Sequence, residues 1–317
     1  MRHSPRCAID WRKREQCRVH MSGFWKWAVI SGFRKWAVIA LGSVAALVVA
    51  ALIYVYAESE FILNRAYPLA QSSLHASGSA EEIARGAHLI DTFGCTDCHG
   101  NDVTGSHVAD VPPGTTLWSP NLRLLAKNFA DADFDRGLRQ GLRADKSSVV
   151  LMPSEVYAGL HDEDAAAIVS YLRNLPPKGE ERLPREIGLI VRAGLAIGMF
   201  NMTRGDFDPE KKALDLGPKY EAGRYLAQMS CGQCHANDLK GGPQYGPMAA
   251  RPDLGVVAAY DREDFRKLMR TGKAAGNRDL PFMSYTAKQR FSHFTDAEID
   301  ALYDYLAARG NMLAANP

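Results

Sequence analysis

Cys95-Thr96-Asp97-Cys98-His99 and Cys231-Gly232-Gln233-Cys234-His235 are the two stretches that organise this 317-residue chain. Each sets two thiols three positions apart and follows the second with a His. Two thiols at that spacing add to the two vinyl groups of one haem, and the next His then lies under the iron as its proximal ligand. At this chain's own Cys and His frequencies, one such run is expected by chance about 0.003 times. Two such runs therefore predict two covalently attached haem c groups. One is held by Cys95 and Cys98 with His99 on its iron, the other by Cys231 and Cys234 with His235. Three plainer uses of the residues compete. A zinc site would draw on both Cys pairs and leave both His as accidents. A redox dithiol needs a βαβ context that the pattern lacks. A disulfide between residues three apart is strained.

Working outward, the surroundings of the two motifs repeat. Ala84-Arg85-Gly86-Ala87-His88-Leu89 precedes the first and Glu221-Ala222-Gly223-Arg224-Tyr225-Leu226 the second. Asn101-Asp102-Val103-Thr104-Gly105 follows the first and Asn237-Asp238-Leu239-Lys240-Gly241 the second. Further on, Phe134, Arg139 and Gly141 match Phe265, Arg270 and Gly272 at an offset of 131 residues. The same offset relates Met152 to Met283, each 11 residues past the matched Gly. A Met thioether is the usual sixth ligand of an electron-carrying haem and raises its potential. Met152 and Met283 are accordingly predicted as distal iron ligands. Met248 and Met269 compete in the second unit. Met248 leaves little chain to cross a haem after His235, and Met269 falls within the apolar pattern of a helix. His107 competes in the first unit but reads as a loop residue close to its own motif.

The local patterns are helical. Ser79-Ala80-Glu81-Glu82 is a capping box opening a helix to about Phe93. Asp162, Glu163 and Asp164 fill the first turn of a helix with Ala165, Ile168 and Leu172 on one side, and Pro176-Pro177 stops it. Thr295 to Glu298 forms a second capping box, Ile299, Leu302, Tyr303 and Leu306 follow at helical spacing, and Gly310 is expected to end that helix. Each unit reads as helix, haem motif, loop, helix, Met loop, helix, without a strand pattern.

Charge locates the chain. Residues 1–35 hold nine Lys or Arg against Asp10 and Glu15, a net +7, and the remainder holds 29 basic against 34 acidic residues, a net −5. Residues 36–56 follow without a single charge. As a helix they span roughly 31 Å, the thickness of a bilayer core. The basic flank predicts a cytoplasmic N-terminus. The run is longer than a signal-peptide core, which favours an anchor over a cleaved signal, although residues 55–57 form a tolerable cleavage site. No nucleic-acid motif accompanies the basic head. Trp27-Ala28-Val29-Ile30 recurs as Trp36-Ala37-Val38-Ile39, and Met21 reads as a natural start behind an extension of 20 residues. Cys7 and Cys17 would then be irrelevant, or reduced in the cytoplasm. The expected organisation is a basic cytoplasmic head over 1–35, a transmembrane anchor over 36–57, a first domain over 79–178, a linker over 179–214 and a second domain over 215–311. Within the linker, residues 187–200 are apolar except for Arg192, too short to span a bilayer. They are expected to form a helix packed across the two domains, with a surface resting on a membrane or partner as the rival reading.

The two C-x-x-C-H runs, Ser119-Pro120-Asn121-Leu122, Leu151-Met152-Pro153 and the stretch from Thr271-Gly272-Lys273 through Met283 together resemble the class I cytochrome c family. The resemblance is to the membrane-bound dihaem cytochromes of bacteria and covers about residues 79–311. It implies an all-α fold of tandem cytochrome c domains behind one N-terminal transmembrane helix, with His/Met ligation at both haems. It also implies a place in the bacterial inner membrane, single-pass, with the C-terminal haem domains in the periplasm. Some related dehydrogenase subunits carry three haems where this chain has two. In the family a Pro carbonyl often accepts the ring N–H of the proximal His. Pro120 and Pro252 are placed for that, with Pro247 a third, although each alone reads more simply as a turn proline. Arg139 and Arg270 could meet haem propionates, or lie on helix surfaces. The implied function is one-electron transfer from a dehydrogenase or quinol-linked complex to a soluble cytochrome or oxidase. The alternatives are a dihaem peroxidase, in which His107 could serve a distal switch, and a fixed cytochrome subunit of a periplasmic dehydrogenase.

Overall fold

The computed structural model describes residues 11–181, 185–199, 212–242 and 251–315. Contacts divide the chain into two units, residues 1–57 and 58–317. Cys7, Pro247 and Met248 lie outside the described residues. Helix α1 runs over Trp11–Asn64, and its portion Phe33–Asn64 is long and apolar enough to cross a membrane. The expected boundary at residue 57 is not a helix end, because nothing from Ala57 to Asn64 breaks the pattern: Glu58 and Glu60 are good helix formers and no Gly or Pro intervenes.

In the second unit the first domain opens with α2 (Ala80–Thr92). Ser79 caps it by accepting the Glu82 N–H at 3.2 Å, while the Glu82 carboxylate accepts from the Ser77 and Gly78 N–H groups. Gly94 then adopts a left-handed conformation and breaks the helix, so the first Cys motif forms a short separate helix, α3 (Cys95–His99). A hairpin follows, β1 (His107–Val111) with β2 (Thr115–Trp118). Next come α4 (Leu122–Asn128) and α5 (Asp131–Asp135), which continues into a π-helical turn over Arg136–Gln140. After the Met152 loop come α6 (Ser154–Tyr157) and α7 (Asp162–Asn174).

The segment joining the domains holds β3 (Arg185–Glu186), paired with β2, and α8 (Leu189–Ala196). The three short strands correct the strand-free expectation: β1 has little buried alternation to reveal it. Among the described residues α8 does not show the expected packing across both domains. Its Val191 and Leu195 pack with Leu63, Ile62, Val150 and Ile187, leaving Ile190 and Ile197 exposed. Arg192 ties it to Ser59 and Glu60, at 2.9 and 2.7 Å.

The second domain repeats the plan with α9 (Glu221–His235), α10 (Arg262–Thr271), the two-residue strands β4 (Lys273–Ala274) and β5 (Arg278–Asp279), α11 (Pro281–Gln289) and α12 (Asp296–Ala315). Here the Cys motif continues the preceding helix without a break. The first domain has one more residue between its repeat-matched Leu and its first Cys (Leu89 to Cys95 against Leu226 to Cys231), and the helix break absorbs it. Thr295 and Glu298 form the reciprocal capping box of α12, with bonds of 2.7 and 3.2 Å. Gly310 does not end α12. A Cβ there would lie 2.3 Å from the Gly255 carbonyl oxygen, so this Gly admits a neighbouring backbone rather than a C-cap.

In both domains the first helix crosses the last at a Gly. A Cβ on Gly86 would meet the Ala167 carbonyl oxygen at 2.0 Å, and one on Gly223 the Ala301 carbonyl oxygen at 2.1 Å. One continuous core runs through the two domains, from Leu89, Ile90 and Phe93 to Leu226, Ile299 and Leu302. Each large aliphatic residue fully buried there contributes roughly 1.5–3 kcal/mol.

Candidate haem sites

The chain after each motif is folded alike to serve the motif His. Gly100 and Ala236, one residue past His99 and His235, both take a positive φ, 78° and 64°, with ψ near-extended at 158° and 162°. The chain turns back at once: the His99 carbonyl accepts the Gly105 N–H at 2.9 Å and the His235 carbonyl the Gly241 N–H at 2.8 Å. Gly105 and Gly241 are needed for close approach, since a Cβ would meet the Ser119 and Arg251 carbonyl oxygens at 2.6 and 2.1 Å. That approach delivers the next segment to the motif. The Ser119 hydroxyl donates to the Cys98 carbonyl at 2.6 Å, and Asn121 caps α4. Between them, Pro120 presents its carbonyl 3.0 Å from His99 Nδ1. In the second domain Pro252 presents its carbonyl 2.8 Å from His235 Nδ1, and Asp253, the counterpart of Asn121, caps the following turn.

These bonds correct the plain turn-proline reading of Pro120 and Pro252. A carbonyl oxygen only accepts, so Nδ1 carries the proton and Nε2 is the nitrogen left to face a metal. Burial lowers the pKa of both His, against the smaller opposing effect of the Pro carbonyls, which keeps the rings neutral. Neutral imidazole is the ligating form.

None of the four motif cysteines is in a disulfide. Burial pushes Cys95 and Cys231 up to about 12 and raises Cys98 as well. A redox dithiol requires the opposite shift. Among the described residues no group of three or more His, Cys, Asp or Glu is arranged to hold a metal ion, so the two Cys pairs do not converge on a zinc site.

The Met-bearing segments return to their own motifs. Met152 lies half-buried just before α6, after Leu151 at φ 64°. Five residues on, the Tyr157 hydroxyl donates to the Phe93 carbonyl at 2.8 Å, two residues before Cys95. Met283 is not in a loop as expected but in the first turn of α11, where Pro281 starts the helix. Seven residues on, Arg290 Nη1 donates to the Ser230 carbonyl at 2.9 Å, directly before Cys231. A serine secures each segment: Ser154 Oγ donates to the Gly137 carbonyl at 2.9 Å, and Ser284 Oγ to the Gly272 carbonyl. Sequence reasoning missed both serines, though each stands within two residues of a matched Met. Met269 is buried in the core at α10, as its helical pattern implied.

Arg139 and Arg270 are committed elsewhere. Arg139 pairs with Asp135 and Asp162 and donates to the Leu160 carbonyl at 3.2 Å. Arg270 pairs with Asp296 at 2.7 Å and donates to the Ser292 and Phe294 carbonyls. Both brace the start of their domain's last helix, so neither is the unpartnered helix-surface side chain of the plainer reading. His107 sits on β1 rather than in a loop, 2.9 Å from Asp110 and edge-on to Trp118.

Paired Cys followed by a His that is protonated at Nδ1 is the donor set for covalent haem attachment. A mostly helical fold built around two such sets defines a dihaem c-type cytochrome. The chain belongs to the cytochrome c family, whose model matches residues 83–176 and again 220–309, and it carries two covalently bound haem c groups. It is similar to the fructose dehydrogenase cytochrome subunit of Gluconobacter japonicus, 25% identical over 261 residues, or 73% of this chain and 53% of that one. It is also similar to the cytochrome c subunit of a quinone alcohol dehydrogenase of Gluconacetobacter polyoxogenes, 24% identical over 284 residues, or 79% of this chain and 60% of that one. A diheme cytochrome c-type protein of Cereibacter sphaeroides is 25% identical over 174 residues, half of this chain and 58% of its own. The chain thus spans little more than half the length of these relatives.

Proposed function

We propose that this chain is a membrane-anchored one-electron relay in the periplasm. It would take electrons from a substrate-linked dehydrogenase or quinol-linked complex and pass them to a soluble cytochrome or an oxidase. Cys95 and Cys98 attach the first haem, with His99 and Met152 on its iron; Cys231 and Cys234 attach the second, with His235 and Met283. When bound, each haem supplies reversible one-electron exchange. The protein's part is to hold it still: the Pro120 and Pro252 carbonyls orient the His rings, and Ser154 and Ser284 pin the Met segments. The observation that carries this reading is the duplicated His–Pro bond, which prepares both sites for the same neutral axial ligand. Denaturing gels stained for haem, with an intact mass, test attachment: two haems are expected, and Cys95→Ala with Cys98→Ala should remove one.

Residues 36–56 serve as the anchor, with the +7 head in the cytoplasm and residues 58–317 outside. Residues 58–317 should be open to protease in spheroplasts, and the protein should stay with membranes after a salt wash. Recovery as a soluble protein beginning near Glu58 would replace the anchor with a cleaved signal.

The resemblance to dehydrogenase cytochrome subunits favours a second reading, in which the donor is a fixed partner. Co-purification of a dehydrogenase at constant stoichiometry through two detergent-phase columns would establish that form.

A further inference from the structure

Arg290 is 4% exposed and touches both Cys motifs. Its Nη1 donates to the Ser230 carbonyl at 2.9 Å, next to Cys231. Its Nη2 pairs with Asp97, between Cys95 and Cys98, and donates to Gln233 Oε1 at 3.2 Å, between Cys231 and Cys234. Gln233 continues the bridge by donating from Nε2 to the Phe93 carbonyl at 3.2 Å and to the Tyr157 hydroxyl. The space for the guanidinium is made by Gly94: a Cβ there would lie 2.0 Å from Nη2. The helix break at Gly94, which separates the two otherwise similar motifs, is therefore where the cation is received.

A guanidinium does not titrate in a protein, so this charge is permanent. The groups around it are unequal. Arg290 is buried, whereas the side chain of Asp97 is 36% exposed and is screened by water. Most of the positive field therefore stays inside, between the motifs, and the negative field of its partner is damped. A buried positive field favours whichever state of a neighbouring group carries less positive charge.

We propose that Arg290 is a positioning residue shared by the two haem sites: it fixes one attachment segment against the other and raises both reduction potentials together. This rests on the reading of both motifs as haem attachments. In the full-length, detergent-solubilised protein with both haems, Arg290→Gln should shift both midpoint potentials negative in a spectroelectrochemical titration. Arg290→Lys, which keeps the charge, should remain near wild type. Asp97→Asn, which frees the cation from its partner, should shift both positive. A merely structural bridge would be loosened by Arg290→Gln and Asp97→Asn alike and would move the potentials the same way. Same-signed shifts, or an Arg290→Gln effect confined to one haem or absent, overturn the proposal. If Arg290→Gln fails to accumulate, Asp97→Asn decides: no change or a negative shift overturns it. Haem counting by pyridine haemochrome accompanies each titration, and fewer than two haems in the wild type would sink the attachment reading instead.

Discussion

His88 Nε2 on α2 lies 2.8 Å from Glu298 Oε1, the third residue of α12, so the first helix of one domain holds the last helix of the other. The repeat supplies the reverse contact. Tyr225 on α9, the counterpart of His88, donates its hydroxyl to Asp164 at 2.6 Å, and Asp164 is the third residue of α7. The two domains thus grip one another through equivalent positions, with a titratable ring at one end and a phenol at the other.

That asymmetry predicts a pH dependence. The hydrogen bond to Glu298 chiefly raises the pKa of His88 above its ordinary 6.5, with burial opposing, Glu298 and Asp91 charges assisting and Arg85 opposing. A raised His contributes stability in full below its unfolded pKa and loses it as pH climbs through the folded value. Glu298 is lowered despite burial, because His88 and Thr295 hold its charged form, so its share is lost as pH falls through that lowered value. Between pH ~6 and ~9, wild-type stability to urea should fall by about 1 kcal/mol, and His88→Gln should flatten this slope. An unchanged slope in the variant would remove His88 from the account.

A second prediction concerns backbone strain. Ala236 occupies φ 64°, ψ 162°, a region that Gly adopts freely and Gly100 fills in the first domain. Such strain costs about 1–3 kcal/mol, partly offset by the greater unfolded-state freedom of Gly. Ala236→Gly should stabilise the protein by roughly 1 kcal/mol, and Gly100→Ala should destabilise it by a similar amount or more. Thermal unfolding of the haem-loaded variants measures both, and a destabilising Ala236→Gly would contradict the strain.

The two Met-bearing segments should depend on their serines. Ser154 and Ser284 are buried, and removing either hydroxyl leaves a carbonyl without that donor, at Gly137 or Gly272. The cost is about 1–2 kcal/mol. Ser154→Ala should weaken the near-infrared Met–Fe(III) absorption of the first haem on warming and spare the second. Ser284→Ala should do the reverse. Equal effects on both haems would show a global loosening instead.

The sequence makes the parts of this molecule that repeat legible. The two haem-attachment motifs and the capped helices all follow from local spacing. Contacts between distant segments were not legible. Pro120 and Pro252 look like turn residues until the Gly105 and Gly241 loops bring their carbonyls to the His rings. Arg139 and Arg270 look exposed on their helices until α7 and α12 arrive to bind them. Gly310 carries a stop signal, but a neighbouring backbone uses its missing Cβ. Arg290 had no counterpart in the repeat to draw attention to it, since Tyr157 fills the comparable place beside the first motif.

The last prediction separates a carrier from an enzyme. Met152 and Met283 share one offset with three other matched pairs, and each stands on a segment that is pinned by a serine and returns to its motif. If both thioethers bind iron, both sites are six-coordinate and low-spin, and electrons pass with little rearrangement. The wild type should then show Met–Fe(III) absorption from both haems. Met152→His should lower the potential of the first haem and leave the second nearly unchanged, and Met283→His should do the opposite. Peroxide turnover should be negligible in the wild type and should rise in Met152→Ala, where a coordination position opens. Resting protein with a high-spin or bis-His haem and rapid peroxide turnover would defeat the carrier reading. His107, already 2.9 Å from Asp110, would then be the first distal group to replace.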